Sequence, residues 1–163
     1  MANALTIETI DDGPRNLVIK LVAKADTSDF SLSKIIDVTT LSTTFPPTTQ
    51  VCIQEIQFSV QDGWYVVLFW EATTNKRIIN LPGRGIYPVG SNYGGIQNDA
   101  GVGKTGNVLL STVGYSSGVM VATLIIHCVK QSVPTTTGAS GDLITTEAGD
   151  PLTTEAGVEL VTE

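Results

Sequence analysis

Val51-Cys-Ile-Gln-Glu-Ile-Gln-Phe-Ser-Val60, Gln61-Asp62-Gly63 and Trp64-Tyr-Val-Val-Leu-Phe-Trp-Glu-Ala72 form a run rich in β-branched and aromatic residues, broken once by Asp-Gly. Asp-Gly between two β-rich arms predicts a hairpin, because the turn needs φ > 0 and glycine supplies it without a steric cost. The first arm alternates, with Ile56, Phe58 and Val60 on one face and Glu55, Gln57 and Ser59 on the other, the pattern of a half-buried strand. The second arm is apolar on both faces. Trp64, Val66, Leu68 and Trp70 share one, which with Phe58 reads as core; Tyr65, Val67 and Phe69 share the other. A strand of this kind is covered on both sides. One cover is a partner sheet, and the expected cover for Tyr65, Val67 and Phe69 is a loop, the tail or another subunit.

The remaining segments extend this β reading. The 163 residues suit one domain with an appendage, and charged residues are only 15% of the total. Strands are expected at Leu5–Ile10, Arg15–Lys24, Lys34–Leu41, Arg77–Leu81, Asn107–Thr112 and Val119–Lys130. A short helix over Leu32–Val38 is an alternative. Leu17, Ile19, Leu21 and Ala23 mark the core face of the second strand. Val119–Lys130 is apolar on both faces and is expected to be buried on both. With the two central arms this makes eight strands, an all-β, antiparallel β-sandwich in which a jelly roll is one fitting arrangement. Pro82–Gly106 holds eight glycines and two prolines and reads as one long loop forming an interaction surface.

Past Pro134 the character of the chain changes. Residues 1–133 read as the sandwich and 134–140 as a flexible linker. Residues 141–163 are an octad-repeat arm: glycine recurs at Gly141, Gly149 and Gly157, and an aliphatic at Ile144, Leu152 and Leu160. An even period places those three aliphatics on one side of an extended chain. Residues 139–163 carry six acidic and no basic side chains, whereas residues 1–138 carry nine basic and ten acidic. The body is near neutral and the arm acidic. The arm has too little apolar surface to fold alone and reads as an extended segment lying on a neighbour.

Motifs for chemistry are sparse. Gly101-Val-Gly-Lys-Thr105 resembles the end of a phosphate-binding loop, but Asn98 stands where its first glycine belongs and a strand follows instead of a helix. His127 is the single histidine, and Cys128 beside it points to the opposite face of a strand. Cys52 and Cys128 read as buried, reduced thiols. No catalytic residue, cofactor or metal site is expected. No basic patch marks a nucleic-acid partner, and no apolar run suits a membrane helix. The opening residues do not read as a signal peptide, so synthesis in a cytoplasm is expected. Tyr87, Tyr93 and Tyr115 are the aromatics free to contact a partner protein or a glycan.

Met1-Ala-Asn-Ala-Leu-Thr-Ile7 with Asp12-Gly-Pro-Arg-Asn16, then Phe69-Trp-Glu-Ala-Thr-Thr74 and Leu81-Pro82, then Tyr93-Gly-Gly-Ile96, Asn98-Asp-Ala-Gly101 and Thr105-Gly-Asn107, with the closing Leu109–Thr112 and Val119–Lys130 segments, resemble small virion structural proteins of tailed phages. The Thr-Glu-Ala-Gly units of the arm are similar to short repeats at the ends of such proteins. The resemblance implies a non-enzymatic particle component located in the virion. A capsid cement (decoration) protein that bridges subunits is the first expectation. It would contact the major capsid protein or another virion protein, and form a homo-oligomer. A tail or neck component, or a virion-surface glycan-binding module, is the alternative. The expected interface residues are Tyr65, Val67, Phe69, Tyr87, Tyr93, Ile144, Leu152 and Leu160.

Overall fold

A computed structural model describes residues 2–42, 47–88 and 94–132. Tyr93, the 134–140 linker and the 141–163 arm with Ile144, Leu152 and Leu160 lie outside the described residues. Within them are nine strands: β1 (Ala4–Asp12), β2 (Asn16–Ala25), β3 (Ser33–Ile36), β4 (Gln50–Val60), β5 (Tyr65–Trp70), β6 (Lys76–Pro82), β7 (Arg84–Pro88), β8 (Val108–Val113) and β9 (Met120–Gln131). One turn of 3-10 helix, Val38–Thr40, follows β3, with the Asp37 side chain accepting from the Thr39 N–H. The helix alternative for Leu32–Val38 is thus replaced by a strand and this single turn.

The strands form two antiparallel sheets, ordered β1-β2-β9-β4-β7 and β3-β8-β5-β6. They enclose one core, to which β2, β4 and β9 contribute from the first sheet and β5 and β8 from the second. Pairing follows one rule. β2 pairs with β9, β3 with β8, β4 with β7 and β5 with β6, all antiparallel. From β2 to β9 the chain is therefore a single long two-stranded ribbon whose tip is the turn after Trp70. The ribbon is rolled so that successive segments alternate between sheets. Rolling brings β9 beside β4 and β8 beside β5.

This corrects the reading of Asp62-Gly63. Gly63 has the expected positive φ of 81°, and the Trp64 N–H donates to the Gln61 carbonyl at 3.2 Å, so a tight turn is present. It does not pair its flanks. β4 lies in the first sheet and β5 in the second, and the Val60 N–H donates to the Gly83 carbonyl instead. The turn is a corner where the ribbon changes sheet, and Gly83 is the corner of the other leg. A glycine-containing turn satisfies either geometry locally; the two differ only in distant partners. The segment Arg84–Pro88, expected as loop, is the strand that takes the place opposite β4.

The alternation in β2 holds: Leu17, Ile19, Leu21 and Ala23 are buried, while Val18, Lys20, Val22 and Lys24 are half-buried. In β9 the inward row Met120, Ala122, Leu124, Ile126 and Cys128 is buried, but Val121 is exposed and Thr123, Ile125, His127 and Val129 are half-buried. The expectation that β9 is buried on both sides is corrected. Its second face is the outer surface of the first sheet, shared with polar neighbours such as Lys20 and Gln57.

Val66, Leu68 and Trp70 are fully buried, and Phe58 of β4, partly buried, packs against the same core. The Trp70 indole N–H meets no acceptor among the described residues. Trp70→Ala is expected to lose roughly 3–5 kcal/mol of unfolding free energy. Trp70→Phe, which removes the unpaired donor and keeps a ring, is expected to lose less. Urea denaturation of the two variants measures both, and an unchanged midpoint for Trp70→Ala would contradict the packing described.

Candidate interaction surface

β5 carries apolar residues on both faces, and both its ends are clamped. At its start, Trp64 is 1% exposed and its indole N–H donates to the Asp29 carboxylate at 2.7 Å. The same carboxylate accepts from the Thr112 hydroxyl at 2.9 Å, the Gly114 N–H at 3.2 Å and the Tyr115 N–H at 3.1 Å. Asp29 thus joins three corners at one end of the sandwich: β2 to β3, β4 to β5, and β8 to β9. Burial pushes its carboxyl upward, but the bonds from Trp64, Tyr115, Thr112 and Gly114 outweigh that and hold it below the usual aspartate range.

At the other end of β5, the Glu71 carboxylate accepts from the Thr105 hydroxyl and the Asn107 side-chain amide, each at 2.6 Å. These two bonds hold its pKa below the usual glutamate value. The Asn107 side-chain oxygen in turn accepts from the buried Val38 N–H at 2.9 Å. Glu71 and Asn107 do at this end what Asp29 does at the other.

The described part of the glycine-rich segment is stapled down here. The Thr73 N–H donates to the Val102 carbonyl, and Ile53 and Ile96 exchange both backbone hydrogen bonds. Gly103 has a φ of 75° and lies so close to Thr73 that a Cβ would collide with its hydroxyl; Gly106, at 85°, leaves no room for one beside the Thr49 carbonyl. The glycines permit close approach of backbone to backbone. The stapling shapes the segment without burying it: Gly101–Thr105 are exposed, Val102 at 88%. It also accounts for Gly101–Thr105 without a phosphate.

With Trp64 held inward, the period of two sends Tyr65, Val67 and Phe69 to the outer face, and a one-residue slip would reverse every side chain. The cross-strand register places Val113, Ser111 and Leu109 of β8 on one side of these three, and Pro82, Asn80 and Arg77 of β6 on the other. Val67 is 2% and Leu109 4% exposed, flanked by half-buried Tyr65 and Phe69. Val113 and Leu32 stand out at 42% and 45%. The Arg77 guanidinium lies 6.0 Å from the Phe69 ring centroid, within cation–π range. The result is an apolar strip along the outer face of the second sheet, with Arg77 and Lys34 at one end. Val67 and Leu109 are already covered within the described residues, so the surface the strip shows comes from half-buried Tyr65 and Phe69 and from exposed Val113 and Leu32.

The other expected contact aromatics are dispersed. Tyr87 is on edge strand β7, opposite Ile56 in the first sheet, and 44% exposed. The Tyr115 hydroxyl donates to the Asp26 carbonyl, and its ring packs on the core. Tyr115 braces the corner, and both tryptophans are buried. Cys52 and Cys128 are buried and unpaired to each other, and burial raises both thiols. Among the described residues no three His, Cys, Asp or Glu side chains come together as a metal set, and no helix is long and apolar enough to cross a membrane. Compared with known protein families and curated proteins, the chain matches none.

Sequence reasoning missed Asp29 and Asn107. The only signal was a polar residue in a connection, which a turn explains equally well. Because Asp29 is more acidic folded than unfolded, it contributes stability above about pH 4, the unfolded aspartate value, and loses it as pH falls through the folded value. Asp29→Asn keeps an acceptor for Trp64 but cannot accept from every donor of the set. Its melting temperature is expected to lie below that of the parent at pH 7, with the gap closing below about pH 4. Melts followed by tryptophan fluorescence check this; a gap that is absent, or constant with pH, contradicts it.

Proposed function

We propose that this chain is a non-enzymatic virion structural protein, a capsid cement (decoration) protein that stabilises a shell by bridging its subunits. The observation that carries the reading is the outward row Tyr65, Val67 and Phe69, continued by Leu109 and Val113. Tyr65 and Phe69 are half-buried and Val113 exposed, with Val67 and Leu109 covered between them, on a sheet whose other face is already core. A contact built on it works by area, and a specific contact needs roughly 1,200–2,000 Å² in total. The strip alone is smaller, so the arm at 141–163 is assigned the remainder, with Ile144, Leu152 and Leu160 as anchors. Partners on this reading are the major capsid protein or another virion protein, and further copies of the chain.

The rolled ribbon supports reading the sandwich as a jelly roll, since β2·β9, β3·β8, β4·β7 and β5·β6 are the successive windings. That architecture occurs in viral capsid and lectin domains alike and does not choose between them. The resemblance of residues 1–131 to small phage virion proteins favours the particle. A tail or neck position in the same particle is the second reading, and microscopy of labelled particles separates the two.

Tyr65→Asp places a charge at the edge of the strip, on a residue only half-buried in the monomer. The isolated variant is expected to keep its fold, while its incorporation into particles falls. Deletion of residues 139–163 is expected to do the same. Mass spectrometry of purified particles, beside melts of the free proteins, gives both readouts. Particles that lack the parent chain altogether would overturn the proposal.

A further inference from the structure

Among the described residues the two sheets have four edge strands, β1 and β7 in the first and β3 and β6 in the second. An edge presents a row of unpaired N–H and C=O groups, and proteins guard such rows with short strands, bulges, lysine and proline. Three of the four edges are guarded in this way. β3 has four residues and a register shift between Lys34 and Ile36. β6 carries Lys76, Arg77 and Pro82, with a register shift in its pairing to β5. β7 has five residues and ends on Pro88. β1 is different. Its nine residues, Ala4–Asp12, include no lysine, arginine or proline, and its ladder with β2 is regular from Ala4 to Thr9.

β1 is also held in place at both ends. The Asn3 side-chain oxygen accepts from the Asp26 N–H at 2.8 Å and the Thr27 N–H at 3.1 Å, and its amide donates to the Ser28 carbonyl at 2.9 Å. At the far end the Asp12 carboxylate accepts from the Ser42 N–H at 2.7 Å and pairs with the buried Lys130 ammonium. A strand fixed in this way has little freedom left to lose on docking. Its inward row overhangs the core. Leu5 is half-buried, but Ile7, opposite buried Leu21, is 40% exposed, and Thr9 is exposed. That row gains a cover if the sheet continues past β1.

We propose that β1 pairs with β1 of a second copy of this chain, antiparallel about a two-fold axis at Thr6, joining two five-stranded sheets into one. The sequence of β1 decides for a second copy. Residues directly opposite in an antiparallel pair lie on the same face, so the axis must centre on a residue. Centred on Thr6, it sets Leu5 of each copy opposite Ile7 of the other on the inward face, and Thr6 opposite Thr6 on the outer face, all favourable cross-strand pairs. Glu8 falls opposite Ala4 of the other copy, and Lys24 of that copy stands next in the row. Glu8, already paired with Lys20 at 3.4 Å, then lies between two lysines with only an alanine methyl intervening on one side. Every pair precedes the register shift between Thr9 and Asp11. Centring on Glu8 would put two carboxylates face to face, and centring on Ile7 would set Leu5 against Thr9 and draw the shift into the ladder. The inference rests on the copies of the chain named among the partners above, and names the edge at which two of them meet.

The test uses the purified full chain with no virion component. Its failure leaves the virion reading standing, and absence of the chain from particles leaves this pairing standing. Sedimentation equilibrium is expected to show the 17.2 kDa chain exchanging with a species of twice that mass as concentration rises, since an edge contact is at the small end of specific interfaces. Ile7→Lys, at a position exposed in the single chain, is expected to weaken the association by about tenfold or more, because each pair of copies then holds two ammonium groups against Leu5. Thr6→Cys checks the register without depending on that variant. Directly opposite Cβ atoms stand roughly 4.5–5.5 Å apart, so mild oxidation is expected to join two copies through the new thiols. Glu8→Cys, whose thiols would stand ~13 Å apart along the strand, is expected not to join them. A chain that stays single at every concentration, an association untouched by Ile7→Lys, or a Thr6→Cys variant that joins no copies would overturn the pairing. Equal linkage by Glu8→Cys would show chance collision and overturn it too.

Discussion

Rolling a two-stranded ribbon into two sheets forces the backbone to leave one ladder and join another at each winding. At every such corner some N–H and C=O groups lose their strand partners near the core, where an unpaired polar group is costly. The Asp29 carboxylate answers this at one end of the sandwich, accepting from groups on the β4–β5 and β8–β9 connections while sitting in the β2–β3 connection itself. Asn107 and Glu71 answer it at the other end, with the Val38 N–H as the buried donor. The remaining pairings follow once these corners are set, because each fixes the parity of the strand that leaves it.

That parity determines what the protein shows to its surroundings. Trp64 locked to Asp29 makes Val66, Leu68 and Trp70 core, and leaves Tyr65, Val67 and Phe69 outside. The outer face of the first sheet mixes polar side chains with aliphatics such as Ile86 and Val121. There Lys20 and Glu8 form a surface ion pair at 3.4 Å, and Gln57, Ser59 and Thr123 interrupt the aliphatics. Surface ion pairs of this sort contribute little to stability and keep a face wetted.

Much of the fold was legible because burial writes itself into alternation. β2 and the inward row of β9 could be read residue by residue, and the dense strand Tyr65–Trp70 announced two covered faces. The central hairpin could not be told from a corner, since Gly63 supplies the same positive φ to either. Arg84–Pro88 was hidden by Gly83, Gly85 and Pro88, which argue against a strand locally; yet Gly85 is what leaves room for the Phe58 ring, 3.0 Å from where a Cβ would stand. Asp29 was illegible for another reason. Its partners lie 35 to 86 residues away, and no local pattern carries that information. Of the expected contact residues, Tyr65, Val67 and Phe69 share one face, Tyr87 lies on the other sheet, and Tyr93, Ile144, Leu152 and Leu160 lie outside the described residues.

The rolled ribbon requires the chain to change sheet at Gln61–Trp64. Nuclear Overhauser contacts between backbone protons decide it directly. The rolled ribbon predicts cross-strand contacts between Phe58 and Gly85, between Ser59 and Arg84, and between Tyr65 and Val113. Contacts between Phe58 and Val66, the pair that a hairpin with Gln61-Asp62-Gly63 as its loop would bring together, would contradict it.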